Sequence, residues 1–442
     1  MGIVPQVAGH LNELLGTEAE AVGKQAGVIQ RKRKFTAPLL MSTVVLSLLT
    51  KGNSAIGDFV EMAATLGVKV TPKAMRNRFV PQLAEALRLL FHRAVSKAMA
   101  APARSVELLS KFTEIQIGDS TIVTLPEELA DEFPGCGGPS GSGKAALKLQ
   151  VEWNQIDGRM TIDVESGRDS DAKSPMMRRT PKKGSLTVRD LGYFSLEWFT
   201  MAVAAGAFFL SRLQPKTKVF LKDGQELDLL SELRAHPWGK PYERWVFMGT
   251  GIRVWCRLIV LRMPQEIASQ RRREAKKKAR KDGRTATDEH LAWMDYSLYV
   301  TKCDEEKLTW EEVIVLYRVR WQIELLFKLW KSDNRLALDN AKQPLAQRMA
   351  QMWGKLVGVV IQHWILLASA WKEVRHSLRK GAQVFRRRVL LIARALTDLD
   401  RFAATLEEIV GQIDHLAKTD RRNQRPAYFQ LLENPELLDY TT

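Results

Sequence analysis

The segment YRVRWQIELLFKLWKS, which starts at Tyr317, constrains the fold of this chain more than any other. In an α-helix each residue advances about 100°, so five polar residues fall on one stripe about 80° wide. These residues are Tyr317, Arg320, Glu324, Lys328 and Lys331. Most of the remaining helix surface is apolar, and a helix that is apolar nearly all round is buried. The segment therefore predicts a buried helix whose charged stripe needs a specific partner.

The charged stripe has two interpretations. Arg320 and Glu324, and also Glu324 and Lys328, have the i,i+4 spacing of helical ion pairs, so the stripe could be an internal ladder. That interpretation leaves Tyr317 and Lys331 unexplained and gives three cations for one anion. An excess of cations instead favours a stripe that faces phosphate groups.

Two aspartates follow similar apolar patterns. Asp119 ends the segment IQIGD and Asp190 ends LTVRD, and two apolar residues at a spacing of two precede each aspartate. Side chains in phase along a strand point to one face of a sheet. Asp190 before LGYF also fits a helix cap. Asp163 in MTIDVES has a similar pattern, so the sequence alone does not make the pair unique.

Three carboxylates that met beside the cationic stripe would form a reactive site. Asp119, Asp190 and Glu324 could not all stay ionised at close range without cations. Carboxylate oxygens suit Mg²⁺ or Mn²⁺, and two such ions can clamp the attacking and leaving oxygens of a phosphodiester. Neighbouring cations would hold the flanking phosphates. The residues therefore predict metal-assisted phosphoryl transfer.

The charge balance of the chain favours a polyanionic partner. Lys and Arg total 67 against 50 Asp and Glu among 442 residues, a formal net charge of +17. Nucleic acid is the leading candidate and a membrane surface is the rival. The most apolar stretch, residues 354–371, is interrupted by polar residues and predicts a buried helix, so we expect no membrane span. The three cysteines are far apart, which suits a reducing cytosol.

A glycine-rich segment, GGPSGSGKAALKLQ, comes close to a phosphate-binding P-loop. Gly138, Gly143 and Lys144 have its spacing. A P-loop needs a strand before it, a helix after it, and a Ser or Thr after the lysine. Here the entry is not strand-like, the exit alternates like a strand, and Ala145 follows the lysine. We therefore expect no nucleotide site, but a flexible connection between two strands.

The N-terminal part of the chain is predicted to be helical. The segment TPKAMRNRF opens with Thr71 as an N-cap and Pro72 at the first helical position. It follows an amphipathic segment closed by Gly67, so the pair fits either a helix-turn-helix or two ordinary packed helices. The basic run 31–34 just upstream slightly favours DNA binding.

Strand-like segments begin near Glu114. They are EIQIGDSTIVTL, LKLQVEW, RMTIDVES, SLTVRD and TKVFLKD, and a helix, YFSLEWFTMAVAAGAFFL, is predicted before the last of them. Strands that are followed by a helix and another strand predict a mixed α/β sheet. The remainder of the chain, from about Gln343, is predicted to be helical and basic.

The polar stripe also carries a resemblance. Tyr317-x-x-Arg320-x-x-x-Glu324-x-x-x-x-x-x-Lys331 resembles the Y-R-E-K signature of the DDE transposases of the insertion-sequence-four family, which are bacterial cut-and-paste enzymes. RDLGYFS around Asp190 is similar to the second-aspartate segment of that family, and IQIGDSTIV is similar to the first. The resemblance runs from about residue 35 to at least residue 331.

The resemblance implies an α/β fold with a ribonuclease-H-like mixed sheet core, a mainly β insertion, and flanking helical N- and C-terminal regions. The implied segments are a DNA-binding region (1–110), the first part of the core (111–223), the insertion (224–294), the second part of the core with the glutamate helix (295–342) and a helical region (343–442).

The resemblance also implies roles for single residues. Asp119, Asp190 and Glu324 would be the catalytic triad that binds two Mg²⁺ or Mn²⁺ ions. The residues that would contact DNA near the cleaved end are Tyr317, Arg320 and Lys331, with Lys328 as a helper. In some relatives a tryptophan of the insertion stacks on a flipped base, and Trp293 is a candidate for that role. The basic run from Arg271 is a further candidate to line DNA.

The implied function is a transposase that cleaves transposon ends and joins them to target DNA. The implied partners are double-stranded DNA, both terminal repeats and target, and a second subunit in a homodimeric synaptic complex. The expected location is the cytoplasm, on the bacterial nucleoid. Two alternatives remain at this stage: a nuclease of the same fold that does not join DNA, and a catalytically inactive DNA-binding inhibitor of transposition.

Overall fold

The computed structural model describes residues 2–29, 34–137, 143–336, 342–371, 373–396, 398–423 and 426–438. Most of the basic run 31–34 and the first glycine of the P-loop-like spacing, Gly138, lie outside these ranges. The chain divides into two compact units. The first unit contains Met1–Ser105, Ser120–Asp169 and Ile323–Asp420, and the second contains Val106–Asp119, Ser170–Gln322 and Arg421–Thr442.

The described residues contain nine strands. They are β1 Ile115–Thr124, β2 Ala146–Asn154, β3 Met160–Ser166, β4 Leu186–Arg189, β5 Phe208–Arg212, β6 Val219–Phe220, β7 Tyr242–Met248, β8 Val254–Arg262 and β9 Tyr296–Thr301.

The helices of the described residues, in chain order, are α1 Ile3–Glu13, α2 Ala19–Gln25, α3 Ala37–Lys51, α4 Ile56–Thr65, α5 Pro72–Arg76, α6 Pro81–Ser96, α7 Glu107–Ser110, α8 Pro175–Arg178, α9 Leu196–Ala204, α10 Leu229–Ala235, α11 Gln265–Lys281, α12 Asp288–Trp293, α13 Trp310–Val319, α14 Trp321–Lys328, α15 Leu345–Ala368, α16 Leu378–Ala395, α17 Leu399–Leu416 and α18 Tyr428–Glu433.

The second unit is built on a mixed sheet. Starting from the first half of β1, the strand order is β1-β4-β5-β9-β8-β7-β6. β1, β4 and β5 are parallel neighbours, and the remaining neighbours are antiparallel. The predicted mixed α/β sheet is therefore confirmed. In the first unit the rest of β1 is followed in the sheet by β2 and β3, which form an antiparallel hairpin.

The first unit is otherwise helical, and α15 is its central element. Nearly every residue of α15 is buried, which confirms the buried helix predicted for residues 354–371. Its glycines allow close packing against α3: a Cβ at Gly354 would lie 2.9 Å from Leu48 and 3.1 Å from Val44. Among the described residues, no single helix is both long and apolar enough to cross a membrane.

The last parallel strand of the second unit differs from the sequence prediction. The segment AGAFFL was predicted as the end of a helix, but α9 ends at Ala204 and β5 begins at Phe208. Gly206 stands between them with φ +68°, a left-handed conformation that glycine adopts without strain. TKVFLKD, predicted as the last core strand, contributes only the short β6, which pairs with β7.

The region between β5 and β9 also contains more helix than predicted. β7 and β8 form the expected antiparallel pair, but α10, α11 and α12 occupy much of residues 224–294. α11 is the longest of these helices with 17 residues, and it contains the run RRREAKKKARK. Arg, Lys, Ala and Glu are all strong helix formers, so this run extends as a regular helix. The prediction of a mainly β insertion is wrong for this part.

Two other predicted segments can be compared with the structure. The hydroxyl of Thr71 accepts a hydrogen bond from the Ala74 backbone N–H, as predicted for an N-cap, but α5 has only five residues. Lys144 of the P-loop-like segment forms an ion pair with Glu127 at 2.5 Å, and the chain continues into β2 rather than into a helix. The strand predicted after this segment is therefore confirmed.

Candidate active site

The two aspartates lie next to each other on neighbouring parallel strands. β1 pairs with β4 in a register that ends at Gly118↔Arg189. Continued by one residue, this register would set Asp119, within β1, beside Asp190, the residue directly after β4, at the usual strand spacing of about 4.8 Å. The preceding pairs in phase, such as Ile117↔Val188, are buried apolar residues. By this register both aspartates are in phase with these buried residues, which is the arrangement that places their side chains on one face of the sheet.

The same register extends across two more strands. Val188 of β4 pairs with Leu210 of β5, so the residue in line with Asp190 is Arg212. Arg212 in turn pairs with Tyr299 of β9. Asp119, Asp190, Arg212 and Tyr299 thus form one row across four neighbouring strands, called the edge row below. Arg212 and Tyr299 were missed in the sequence because β5 was predicted as part of a helix.

Asp190 also caps a turn of 3₁₀-helix. Its Oδ1 accepts a hydrogen bond of 2.7 Å from the Leu191 N–H, at the start of Leu191–Tyr193. The cap that the sequence left as an alternative is therefore present. A cap uses one carboxylate oxygen and fixes the orientation of the other, so it is compatible with a ligand role.

Arg320 contacts the first aspartate. Its Nη1 lies 3.4 Å from Oδ2 of Asp119, and the two side chains are 13% and 20% exposed. This ion pair joins residues that are 201 positions apart. The cation therefore stabilises the negative charge on Asp119.

Tyr317 lies beside the edge row. Its ring meets Tyr299 edge-on, with 5.2 Å between centroids, and the Arg320 guanidinium is 5.8 Å from the ring centroid. Burial raises the pKa of Tyr317 to about 12; Arg320 and Arg212 oppose this rise, whereas Asp190 adds to it. At neutral pH the phenol is thus protonated and can donate a hydrogen bond to an anionic oxygen.

An open cavity of about 470 Å³ adjoins these residues in the second unit. Its lining is aromatic and cationic, and consists of Tyr299, Val315, Tyr317, Arg318, Arg320, Trp321, Gln322, Tyr428 and Leu431. Burial lowers the pKa of Arg318, and no ion pair of this residue is found in the described part of the chain. Arginine beside aromatic rings suits a ligand that combines negative charge with a flat apolar surface.

The helix predicted from Tyr317 onward is not continuous. α13 ends at Val319, α14 begins at Trp321, and a π-helical turn follows at Leu329–Asp333. The helix is also not buried all round, because Trp321 is 54% exposed and Leu325 is 43% exposed. The prediction of one helix that is buried nearly all round is therefore wrong in these two respects.

The remaining stripe residues belong to the first unit. Glu324 is half-buried on α14, and Lys328 at the end of that helix is exposed. Lys331 lies in the π-helical turn, and partial burial lowers its pKa. A π-turn changes the angular spacing of side chains, so the 100° step used for the sequence does not hold through Lys331.

Asp163, the alternative aspartate, is placed elsewhere. It lies on β3 and pairs with Gln150 of β2. Within the described ranges, no three His, Cys, Asp or Glu side chains lie together in a way that could hold a metal ion. The pair Asp119 and Asp190 still fits a hard cation, because Mg²⁺ is commonly held by one or two carboxylates, with water and substrate phosphate completing its shell.

Trp293 does not have the exposure that base stacking requires. It is 8% exposed at the end of α12 and packs in the apolar core of the second unit, with neighbours such as Tyr296 and Leu298. The sequence signal was weak because most of the tryptophans of a globular chain pack in its core. This position corrects the suggestion that Trp293 stacks on a flipped base.

Comparison with known proteins identifies the family. Residues 110–356, more than half of the chain, match the family described as a transposase DDE domain. The chain belongs to the DDE transposase family. Its sheet is thus the predicted ribonuclease-H-like core, and the protein is a metal-dependent DNA transposase. DDE transposases in general require divalent metal ions and act on DNA.

Similar transposases cover most of the chain. The transposase for insertion sequence element IS231B of Bacillus thuringiensis subsp. berliner is 28% identical over 364 residues, 77% of this chain and 75% of the relative. That of IS231C from the same organism is 27% identical over 430 residues, 92% of this chain and 84% of the relative. That of IS1151 from Clostridium perfringens is 24% identical and covers 80% of this chain and 78% of the relative.

Proposed function

We propose that Asp119, Asp190 and Glu324 are the catalytic residues of this transposase and that they bind two Mg²⁺ or Mn²⁺ ions. The register of β1 and β4 is the observation that carries the proposal, because it brings the two aspartates to one face of adjacent strands. Glu324 is included because of its place in the Y-R-E-K signature. The bound ions would supply Lewis-acid activation of the attacking oxygen and neutralise charge on the leaving oxygen.

Protein groups near the two aspartates would orient the DNA strand. Arg320 can bridge Asp119 and a phosphate, because its guanidinium has five donors in a planar fork. Tyr317 can donate its phenolic proton to a phosphate oxygen, because its raised pKa keeps it protonated. We propose that Lys331 and Lys328 bind phosphates near the cleaved end, and this assignment rests on the Y-R-E-K signature alone. Trp293 is not included because it is buried.

The proposed reaction has two steps. Hydrolysis at the ends of the element frees a 3′-OH, and that hydroxyl then attacks target DNA by transesterification. Each step is an in-line displacement at phosphorus, and no covalent bond forms between protein and DNA. The partners in this proposal are the terminal repeats, the target duplex and a second subunit in a synaptic homodimer located on the nucleoid. We retain the five sequence segments, from 1–110 to 343–442, as a proposed division of labour.

A strand-transfer assay tests this assignment. Labelled duplex from the ends of the element that encodes the protein is incubated with target DNA and Mg²⁺ or Mn²⁺. We expect the wild type to cleave and join, and Asp119→Asn, Asp190→Asn and Glu324→Gln each to lose at least about 10³-fold in rate. Each variant should bind the end duplex as tightly as the wild type in the absence of metal.

Two matched variants serve as controls. Asp163→Asn removes the alternative aspartate on β3, and Glu311→Gln removes an acidic residue in the first turn of α13. Both should retain near wild-type cleavage. Undiminished cleavage by Asp190→Asn, or equal losses in Asp163→Asn, would refute the assignment. Cleavage without joining would favour a nuclease, and binding without cleavage would favour an inhibitor.

A further inference from the structure

We propose that the exposed face of α11, together with Arg212, binds the sugar-phosphate backbone of the DNA duplex beside the bond that is cleaved. The inference rests on the proposed catalytic role of Asp119 and Asp190, because it extends the DNA path away from them. It assigns a function to a helix that the Y-R-E-K signature does not include.

The topology places the start of α11 at the edge of the sheet that carries the aspartates. β9 is antiparallel to β5, so its first residues lie beside the end of β5. β8 ends at the same edge, because Arg262 pairs with Tyr296. α11 begins three residues after Arg262. It therefore starts at the edge of the sheet where β1 and β4 end, which is the edge that carries the two aspartates.

Two arginines connect the edge row with α11. Arg212 follows Asp190 in the row, and Arg271 of α11 donates to the Tyr296 carbonyl and the Ser297 hydroxyl at the start of β9. Burial and the nearby Arg212 lower the pKa of Arg271. Within the described residues, neither arginine forms an ion pair, and the Nε of Arg212 is buried without a hydrogen-bond partner. Two neighbouring cations that form no ion pair in the described residues indicate a place for a phosphate.

The exposed face of α11 continues this positive surface. Taking Arg273 as zero, a helical step of about 100° places five exposed cations within an arc of about 140°. They are Arg273, Lys276, Lys277, Arg280 and Lys281, called the α11 stripe below. Glu274 lies outside this arc and accepts a hydrogen bond from Gln270. The stripe therefore carries five positive charges and no negative charge.

The opposite face of α11 anchors the helix. Ala268 is buried, and Arg272 forms an ion pair with Asp295 just before β9. The stripe itself weakens the helix, because like charges at i,i+4, such as Arg273 and Lys277, repel each other. Because the helix is anchored, its cations stay close together although they repel each other. A bound polyanion would relieve this repulsion, so the surface is preorganised for such a ligand.

The dimensions favour duplex DNA over a small anion. The stripe spans about 12 Å along the helix axis, from Arg273 to Lys281. Double-stranded DNA carries one negative charge per about 1.7 Å of its axis, so it offers about seven phosphates over that length. A single phosphate or mononucleotide would meet only a fraction of the five cations. The stripe thus fits a continuous sugar-phosphate backbone, and its contacts would not distinguish one base sequence from another.

The salt dependence of DNA binding tests this proposal. The triple variant Arg273→Gln, Lys277→Gln, Lys281→Gln removes one row of the stripe and keeps good helix formers. Its control, Lys183→Gln, Lys216→Gln, Lys222→Gln, removes three exposed lysines of the same unit that lie outside α11. The probe is the end duplex of the element with its flanking DNA. The slope of log K against log salt should fall by about 0.9 for each phosphate that the stripe variant no longer neutralises, and hardly change in the control.

Two further measurements sharpen the outcome. Ethylation interference should show that the phosphates bound by the wild type but not by the stripe variant lie on one side of the cleavage site. The charge-preserving triple Arg273→Lys, Lys277→Arg, Lys281→Arg should restore the slope. Equal slopes for the stripe variant and its control would overturn the proposal. The catalytic assignment is tested separately. If the slopes are equal but the wild type cleaves DNA and Asp190→Asn does not, only the proposal for α11 is overturned.

Discussion

Two polar groups of helix α15 and the half-buried Arg212 of the edge row differ in their partners. In α15, Lys355 donates to the Asn53 side chain at 2.7 Å and to the Arg335 carbonyl at 2.5 Å. His363 in the same helix hydrogen-bonds to the Gly158 carbonyl at 2.8 Å. At the edge row, Arg212 has no ion-pair partner in the described part of the chain. Unpaired burial costs stability, so the contrast separates groups that hold the fold from groups kept for a ligand.

The comparison predicts different phenotypes for the two regions. Substitutions in α15 should lower stability and leave DNA chemistry per folded molecule unchanged. Substitutions at the edge row, or at Arg320 that pairs with Asp119 of this row, should change DNA chemistry more than stability. Four changes test this separation, in order of decreasing effect.

The largest effect is expected for Arg320→Gln. Loss of a cation aimed at developing phosphate charge should reduce cleavage by about 10²–10³-fold. Arg244→Gln is the matched control, since Arg244 pairs with Glu232 at 3.1 Å on an exposed surface of the same unit. Single-turnover cleavage at saturating DNA measures both. Similar losses in the two variants would indicate a general structural effect rather than a role at the site.

His363 is expected to make the first unit sensitive to acid. Burial lowers the pKa of His363 from 6.5 to about 4. Because the unfolded chain takes up a proton between about pH 6.5 and 4 and the folded protein does not, stability falls as the pH falls through that window, by about 3 kcal/mol in total. His363→Gln should flatten this loss, as measured by urea unfolding at pH 7 and pH 4. The control His290→Gln changes an exposed histidine and should leave the loss of stability at low pH unchanged.

A smaller loss of stability is expected for Lys355→Met. The methionine fills a similar volume, but two acceptors lose their donor, which costs about 1–3 kcal/mol. The matched change on an exposed helix surface, Lys24→Met, should cost under about 0.5 kcal/mol. Chemical unfolding compares the two. An unchanged midpoint for Lys355→Met would mean that its hydrogen bonds do not hold the fold.

The smallest effect on stability is expected for Arg212→Gln. Because this cation has no ion-pair partner within the described residues, its loss should change the free energy of unfolding by no more than about 0.5 kcal/mol. The slope of DNA binding against salt should nevertheless fall by about 0.9. This is the reverse of the pattern expected for Lys355→Met. A large loss of stability would place Arg212 with the structural groups.

Local patterns in the sequence predicted much of the site. The in-phase apolar residues before Asp119 and Asp190 predicted a shared sheet face, and the structure pairs their strands. The predicted N-cap at Thr71 follows from short-range hydrogen bonding, which needs no tertiary context. The spacing from Tyr317 to Lys331 was sufficient to indicate the family.

The rest depends on contacts that are distant in the chain. β5 is the five-residue segment FFLSR, close behind a helix, and pairing with β4 and β9 makes it a strand. Arg212 could not be identified until that strand was known. The break at Arg320 and the π-turn after Lys328 are equally invisible to a model with a fixed helical step. Trp293 is one of twelve tryptophans, and composition does not distinguish a core ring from a stacking ring.

The pairing of β8 with β9 has a consequence for how this enzyme can diversify. The chain leaves the sheet after Arg262 and returns at Tyr296, and these two residues are paired in the ladder. The module between them, residues 263–295, therefore leaves and rejoins the sheet at adjacent positions, like the loop of a long hairpin. Loops whose ends lie close together tolerate insertion and replacement. Descendants of this gene can therefore lengthen, shorten or exchange that module, α11 included, while the spacing of the two aspartates stays fixed by the ladder between β1 and β4.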